Sequence, residues 1–255
     1  MKQSQIAAQL YTLRDFTKTP ADIATTMKKV KQIGYDAVQC SALGPIEATE
    51  LKKIVDGEGL TICATHTSYE TMRDNPQLVI DDHNLWGCKH AAIGGLPGEY
   101  RTGESAYIRF AQEASQVAKQ LAEGGLVFSY HNHSFELERF SGRTALQILY
   151  DESDPKLFNS EIDTYWIQHG GGDSADWIHR LKGRAHLVHF KDMAVVDGKP
   201  VMAEVGEGNL NWSAIIEACV DAGTEWYIVE QDTCQRNPFG SLEISLENLK
   251  AMTIN

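Results

Sequence analysis

Residues 126–136 read LVFSYHNHSFE, and they follow a segment with helical spacing over residues 104–123. The apolar run at 126–131 predicts a strand, because strands buried on both faces are rich in Val, Ile, Tyr and Phe and need not alternate with polar residues. Polar and ionisable side chains gather at 129–136, where this strand ends. A helix, a buried strand and a polar strand end therefore follow one another here, and strands and helices alternate along the rest of the chain.

Eight apolar runs of this kind predict eight strands. They cover residues 6–11, 35–39, 60–65, 90–94, 126–131, 158–163, 185–190 and 226–230. Eight segments with helical spacing lie between or after them, at residues 21–33, 46–57, 77–86, 104–123, 143–151, 174–181, 212–222 and 242–252. Asn75-Pro76 is typical of a helix start, and Gly34, Gly59 and Gly223 stand where helices are expected to end.

The number of these units predicts the fold class. Eight strand–helix units of about 32 residues each amount to about 250 residues, the usual size of a (β/α)8 barrel. An open, doubly wound sheet is the competing architecture, and it favours a GxGxxG turn after the first strand. Leu13-Arg14-Asp15-Phe16 follows that strand instead. We therefore expect an α/β protein with a single (β/α)8 TIM barrel over residues 1–255.

Composition and charge narrow the function classes. The 255 residues include 35 acidic and 23 basic side chains, and this formal net charge of −12 disfavours a protein whose main partner is a phosphate backbone. No stretch approaches the roughly 20 uninterrupted apolar residues of a membrane span, and the first residues lack the apolar core of a secretory signal. Five cysteines without CxxC spacing indicate reduced thiols. We expect a cytoplasmic protein without a nucleic-acid or membrane partner.

Ionisable residues stand at the ends of the last three predicted strands. Asp163, His189 and Glu230 each occupy such an end. In a barrel these ends form the active site, and side chains on the inward face converge there. Two carboxylates and an imidazole are a ligand set suited to Mn2+, Mg2+, Co2+ or Zn2+. The sequence therefore predicts a divalent-metal site, because charged groups that converge in a barrel mouth are costly unless they are paired or bind a metal.

Six segments carry a resemblance to a known family. They are QLYTLR at 9–14, YHNHSFE at 130–136, EIDTYW at 161–166, VHFKDM at 188–193, EVGEGNLNW at 204–212 and VEQD at 229–232. In this order they resemble the xylose isomerase-like barrel superfamily, in particular its sugar phosphate isomerase/epimerase group with the motif Tyr-His-Asn-His-x-Phe-Glu. The segments run from the first predicted strand to the last, so the resemblance covers the whole chain.

The resemblance implies a divalent metal held by Glu, Asp, His and Glu on four successive strands. Asp163, His189 and Glu230 take the last three places. Mn2+ is the metal expected ahead of Mg2+, Co2+ or Zn2+.

The first of the four places departs from the family pattern. His131 stands where many relatives have Glu. Either His131 replaces the carboxylate, or Glu136 bends back to bind the metal, with His133 as the third option. We favour Glu136 because it retains the carboxylate.

The resemblance also implies a reaction by proton transfer. Epimerases of this superfamily place two metal-bound glutamates on opposite faces of the substrate, and the metal polarises the substrate's oxygens so that an enediolate forms. Glu230 supplies one acid or base here, and Lys191 or Glu161 is expected to supply the other. We therefore expect a metal-dependent isomerase or epimerase that acts on a keto-sugar or related polyol.

Other activities are compatible with this scaffold. Lys191, together with His131 in place of the carboxylate, also suits β-elimination, so a lyase is the alternative, either an inosose-type dehydratase or an enzyme that cleaves 3-keto-glycosides. An abasic-site endonuclease shares the superfamily fold, but the acidic balance disfavours it. A non-catalytic sugar-binding barrel is the remaining alternative.

Seven residues are candidates for contact with the sugar. They are Gln9, Tyr11, Arg14, His66, His131, His133 and Trp166. Four of them have a competing structural interpretation: His66 as a barrel-mouth histidine, His133 as a loop histidine with its hydrogen bonds satisfied, Arg14 as the partner of a neighbouring carboxylate and Trp166 as a packing residue. The resemblance is also compatible with a homo-oligomer.

Overall fold

The apolar runs form the strands of one closed barrel in the computed structural model, which describes residues 1–253. The strands are β1 Ile6–Gln9, β2 Ala37–Cys40, β3 Thr61–His66, β4 His90–Ile93, β5 Val127–His131, β6 Arg139–Phe140, β7 Arg143–Thr144, β8 Asn159–Asp163, β9 Leu187–Phe190, β10 Asp192–Val196, β11 Lys199–Ala203 and β12 Trp226–Val229. Eight of them close the barrel in the order β1-β12-β9-β8-β5-β4-β3-β2, and each neighbouring pair is parallel. The predicted α/β fold, a single (β/α)8 TIM barrel, is confirmed.

The helices surround this barrel. They are α1 Pro20–Ile33, α2 Ala48–Gly57, α3 Tyr69–Asp74, α4 Pro76–Trp86, α5 Glu104–Glu123, α6 Ala145–Asp151, α7 Thr164–His169, α8 Ser174–Arg180, α9 Trp212–Ala222 and α10 Pro238–Thr253. Pro76 occupies the first turn of α4 as predicted, and Gly34 and Gly223 end α1 and α9 with φ of 112° and 79°. Across residues 1–253, the structure contains no helix that is both long enough and apolar enough to cross a membrane.

Two short helices and two hairpins lie outside the sequence predictions. α3 and α7 have 6 residues each, which is too short for a helical repeat of apolar residues to show in the sequence. The antiparallel hairpin β10–β11 follows β9 directly, and the second hairpin is β6–β7. Val195 and Val196 of β10 are exposed, so this strand has no alternation of buried and exposed residues that would reveal it.

The barrel interior changes from apolar to polar along its axis. Its apolar layer consists mainly of small side chains: Ala7, Ala37, Cys63, Ala64, Ala92, Leu187 and Ile228. Gln9, Gln39, Glu161 and His189 lie near the C-terminal ends of their barrel strands, and all four are fully buried. A larger apolar core separates the barrel from the helices. The polar layer therefore lies toward the C-terminal ends of the strands, where barrel enzymes carry their active sites.

Candidate active site

Strand register brings the predicted site residues to one edge of the barrel. In the parallel pair of β8 and β9, Asp163 lies opposite His189. His131 lies opposite Glu161 in the pair of β5 and β8. Glu230 follows the last residue of β12 directly. Because parallel strands end at the same edge of the sheet, these side chains meet at the mouth of the barrel.

Four of the buried side chains at this mouth form a group that fits a metal ion. His131, Asp163, His189 and Glu230 each offer a ligand atom, and these atoms all lie within 4.8 Å of one another. Nδ1 of His189 is 2.9 Å from Glu230 Oε2 and 3.9 Å from Asp163 Oδ2, and His131 Nε2 is 3.2 Å from Asp163 Oδ2. Neighbouring ligands around a divalent ion with bonds of about 2.1 Å are roughly 3 Å apart. The donor set and its spacing therefore fit a divalent cation.

The ammonium of Lys191 lies between carboxylates at the same place. Its Nζ is 2.7 Å from Glu230 Oε2, 2.9 Å from Asp163 Oδ2 and 2.9 Å from Asp232 Oδ1. Burial alone would lower the pKa of Lys191, but these carboxylates raise it well above its ordinary value. Lys191 is therefore a fixed positive charge. Three carboxylates face this one ammonium, and His189 lies beside two of them.

Glu136 lies outside the ligand group, contrary to the sequence-based preference for it over His131. Its carboxylate accepts hydrogen bonds from the Tyr130 hydroxyl at 2.6 Å and from the backbone N–H of His133 at 2.9 Å. The physical reason is the alternation along β5, which directs His131 into the barrel and Tyr130 outward against Phe158. Burial raises the pKa of Glu136 to about 7. The structure therefore places His131, and not Glu136, beside Asp163, His189 and Glu230.

Glu161 lies beneath the ligand group, although the sequence suggested it as an acid or base. His66 Nε2 is 2.6 Å from its Oε2, and the Gln39 amide donates to its Oε1 at 2.7 Å. Burial by itself would raise the pKa of Glu161, but His189 and His66 hold it well below the usual range. Glu161 is thus an ionised hydrogen-bond acceptor. Its link to the groups at the barrel mouth is indirect, through His66 and His189.

Gln9 and Gln39 fix the orientation of the His189 ring. Gln39 Oε1 accepts from Gln9 Nε2 at 2.7 Å and from His189 Nε2 at 2.7 Å. Since an amide oxygen only accepts hydrogen bonds, His189 Nε2 carries a proton and Nδ1 faces the ligand group. Gln9 also accepts from the backbone N–H of Tyr11. Gln9 is fully buried, so the structure corrects the expectation that it contacts a sugar.

A cavity of about 270 Å3 opens above these groups. Four of the seven residues expected to contact a sugar line it, namely Tyr11, His66, His131 and His133. Glu230 contributes to the same wall. Three imidazoles, a phenol and two carboxylates, those of Glu230 and Asp232, thus face a space whose size suits a small polar molecule.

Two imidazole nitrogens beside this cavity have no hydrogen-bond partner within residues 1–253. They are Nδ1 of His131 and Nδ1 of His133, and both are buried. Burial and the neighbouring His131 lower the pKa of His133 to about 3, so its ring is neutral. Buried polar atoms normally have partners, so these two nitrogens are available to bond a molecule in the cavity.

Arg14 and Trp166 do not line the cavity. The Arg14 guanidinium donates to the backbone carbonyls of Tyr11 at 2.9 Å and Asp232 at 2.8 Å, so it joins two loops at the mouth. Trp166 packs against His133, with ring centroids 5.4 Å apart. Both side chains support residues that do face the cavity, and their own contact with a sugar stays a prediction.

The sequence analysis missed several residues that the structure brings to the site. Ser41 lines the cavity, and its hydroxyl is 3.2 Å from His66 Nδ1. Asp232 lines the cavity and binds Lys191. Gln39 bonds both Glu161 and His189. The sequence offers only their position as an indication of function, because each of these residues stands at or just beyond a strand end.

Comparisons with known proteins agree with this architecture. Residues 27–252 match the family model described as xylose isomerase-like TIM barrel. A sugar phosphate isomerase/epimerase from Parabacteroides distasonis ATCC 8503 has a TM-score of 0.83 at 21% identity, covering 99% of this chain and 96% of that chain. An L-ribulose 3-epimerase has a TM-score of 0.73 at 13% identity, covering 96% and 93%. At such identities the likeness shows a shared fold.

One curated relative is similar in sequence over part of its length. An inosose dehydratase from Geobacillus thermodenitrificans (strain NG80-2) is 27% identical over 143 residues, which cover 46% of this chain and 45% of that protein. The match thus spans about half the length of this relative. The named relatives are an isomerase/epimerase, an epimerase and a dehydratase, and all three are enzymes.

Proposed function

The chain belongs to the xylose isomerase-like TIM barrel family, and we propose that it is a divalent-metal-dependent isomerase or epimerase of a keto-sugar or related polyol. The proposed reaction is proton transfer through an enediolate. The observation that carries the proposal is the buried group His131, Asp163, His189 and Glu230, whose ligand atoms lie within 4.8 Å of one another below an open cavity.

These four residues would hold the metal. Two imidazoles and two carboxylates suit Mn2+ first, and Co2+ or Zn2+ next; Mg2+ prefers oxygen ligands and follows. When bound, the ion supplies a Lewis acid that polarises the substrate's oxygens and acidifies the neighbouring C–H.

Glu230 is the proposed acid or base, because it belongs to both the cavity wall and the ligand group. Burial would raise the pKa of Glu230, but Lys191 and His189 hold it well below the usual range, so the carboxyl group is ionised. Lys191 is proposed to keep Glu230 and Asp163 in place through its two short contacts. Glu161 is a positioning residue in this scheme, since it acts through His66 and His189.

Substrate hydroxyls are proposed to bond the groups on the opposite wall. Tyr11, Ser41 and His66 offer a phenol, a hydroxyl and an imidazole there. His133 offers a neutral ring with an unpaired Nδ1. These groups are spread over separate strand ends, so they can hold several hydroxyls of one small polyol at the same time.

A lyase is the second candidate. His131 stands in place of a carboxylate, which leaves Glu230 without a matching glutamate on the opposite face. Lys191 supplies a buried cation beside the site, which suits the departure of a hydroxyl or alkoxide in a β-elimination. The similarity of half the chain to an inosose dehydratase supports the same reaction class.

Solvent exchange distinguishes the two candidates. The Mn2+-loaded protein would be incubated with a panel of ketohexoses and inososes in D2O and analysed by NMR. Deuterium at the carbon beside the carbonyl without loss of water from the substrate supports the isomerase. Loss of water supports the lyase. Glu230→Gln should abolish either signal, and Glu243→Gln on α10 is the matched control.

The cellular compartment, the type of partner and the oligomeric state are also proposals. All five cysteines are free thiols, which supports a reducing compartment such as the cytoplasm. The net charge of −12 supports a small-molecule partner over a nucleic acid. Light scattering at several protein concentrations would test for a homo-oligomer.

A further inference from the structure

A second cavity adjoins the first one at the barrel mouth. It has a volume of about 290 Å3 and lies between the ends of β2 and β3 and the helices α2 and α4. Ser41 and His66 line both cavities, and the hydrogen bond between them at 3.2 Å forms the shared wall. The two cavities are therefore neighbours, and a substituent on a molecule in the first one has to pass this pair of side chains to enter the second, which we call the side cavity.

The side cavity differs in chemistry from the barrel mouth. Leu43, Ile46, Leu51 and Trp86 line it, whereas no aliphatic side chain or indole among residues 1–253 lines the first cavity. The indole N–H of Trp86 already donates to the Ala48 carbonyl at 2.9 Å.

The threonine hydroxyl in the same wall is occupied as well. Thr65 Oγ1 bonds both Thr67 Oγ1 at 3.0 Å and His83 Nε2 at 2.9 Å. A sugar hydroxyl placed here loses water and finds the Asp82 carboxylate as its main free acceptor. An apolar group gains free energy from the same burial.

Charge excludes an anionic occupant. Asp82 lies in the wall of the side cavity, and among the described residues no basic group pairs with its carboxylate. Burial, together with Asp81 and Glu47, raises the pKa of Asp82, so further acidic groups are near. A phosphate placed here would face carboxylates without a compensating cation, and it would be repelled.

We propose that the side cavity receives a neutral, apolar substituent carried by the sugar, so that the substrate is a glycoside-like conjugate rather than a free or phosphorylated sugar. The inference rests on the proposed function in one respect, because it requires the sugar itself to bind in the first cavity. The sugar would bond Ser41 and His66, and its substituent would pack on Ile46 and Trp86.

Affinities of matched probes test this assignment. Phenyl β-D-glucopyranoside and methyl β-D-glucopyranoside would be titrated into the Mn2+-loaded protein by calorimetry. We expect the phenyl glucoside to bind at least about tenfold more tightly, because burial of an aromatic ring contributes at least that factor. Ile46→Trp and, as a second variant, Leu43→Trp fill the side cavity and should reduce this ratio to about one. Ile216→Trp on α9, a half-buried position away from both cavities, should keep it.

Four results would overturn the inference. The first two are equal affinities in the unsubstituted protein and an undiminished phenyl preference in a folded cavity-filling variant. The other two are tighter binding of glucose 6-phosphate than of the phenyl glucoside, and undetectable binding of the phenyl glucoside at millimolar concentration. Failure of the proposed function gives different results, namely absent Mn2+ binding and absent deuterium exchange. Neither of these results affects the comparison of the phenyl and methyl glucoside affinities.

Discussion

Lys191 and Glu230 form a buried ion pair at the mouth of the barrel, with Nζ 2.7 Å from Oε2. The same ammonium lies 2.9 Å from Asp163 Oδ2, so one cation holds two carboxylates that we propose as metal ligands. Removing one partner of a buried pair leaves an uncompensated charge, which costs about 3–5 kcal/mol. We expect Lys191→Met to lower the free energy of unfolding of the metal-free protein by about 3 kcal/mol, measured by urea unfolding in EDTA.

Metal addition should recover part of this loss, because a divalent ion supplies the charge that Lys191 no longer provides. Mn2+ should therefore stabilise Lys191→Met more than it stabilises the parent protein. Lys182→Met is the control, since the Lys182–Asp221 pair is exposed and worth about 1 kcal/mol or less. Equal stabilisation of Lys191→Met and the parent by Mn2+ would contradict the shared position of ammonium and ion.

His131 and Glu136 give opposite predictions for metal binding. His131 belongs to the ligand group, whereas Glu136 is occupied by Tyr130 and His133. His131→Ala should weaken Mn2+ binding at least about tenfold, and Glu136→Gln should leave it within about twofold. His131→Glu should instead raise the affinity for Mg2+, because it adds an oxygen ligand. Calorimetric titration measures all three, and loss of Mn2+ binding in Glu136→Gln alone would restore Glu136 as the ligand.

The raised pKa of Glu136 predicts that the free energy of unfolding depends on pH. Its pKa is about 7 in the folded protein because of burial, against an ordinary value of 4.5. A carboxyl group with a raised pKa favours folding fully below 4.5, and this contribution is lost as the pH rises through 7. Glu136→Gln should therefore gain stability relative to the parent between pH 5 and pH 8, by about 3 kcal/mol at most. Urea unfolding at each pH measures this difference, and a constant difference would refute the raised pKa.

The strand ends of the site could be predicted because the length of the buried runs and the period of two along each strand determine them. Buried runs of about five residues gave the eight strands, and the period of two placed Asp163 and His189 on the inward face. Glu136 could not be placed in this way, because the alternation stops where β5 ends at His131. Beyond that residue the chain direction depends on the hydrogen bonds of Tyr130 and His133, which involve no periodic pattern.

Neutral polar residues gave a weaker signal than charged ones. Gln39 ends the second predicted strand and Ser41 follows β2, yet neither has chemistry that marks it as functional. Their roles depend on partners more than 20 residues away in sequence, such as His66, Glu161 and His189. Such contacts follow from barrel closure and register, which the sequence pattern of one strand does not contain.

Asp192 organises the loop after β11, and its carboxylate accepts five hydrogen bonds. The donors are the backbone N–H groups of Met193, Gly206, Gly208 and Leu210 and the indole N–H of Trp212. Asp192→Asn places an amide N–H among these donors, so we expect a loss of about 2–3 kcal/mol and faster hydrogen exchange at 204–211. Asp197→Asn at the exposed turn of the β10–β11 hairpin should change neither quantity. Unchanged exchange at 204–211 in Asp192→Asn would show that the loop is held by other contacts.

A substitution at Gln39 would test whether the polar side chains beneath the proposed metal ligands influence the metal affinity. Its amide oxygen accepts from His189 Nε2 at 2.7 Å, and its nitrogen donates to Glu161 at 2.7 Å. Gln39→Leu fills a similar volume without either bond, so the His189 ring loses the acceptor that keeps Nδ1 toward the ligand group. Loss of such an outer partner typically weakens metal binding 10–100-fold, and we expect a change of about that size in the Mn2+ dissociation constant, measured by EPR. Gln77→Leu on the exposed face of α4 is the control. An unchanged Mn2+ affinity in a folded Gln39→Leu variant would mean that strand register alone orients His189.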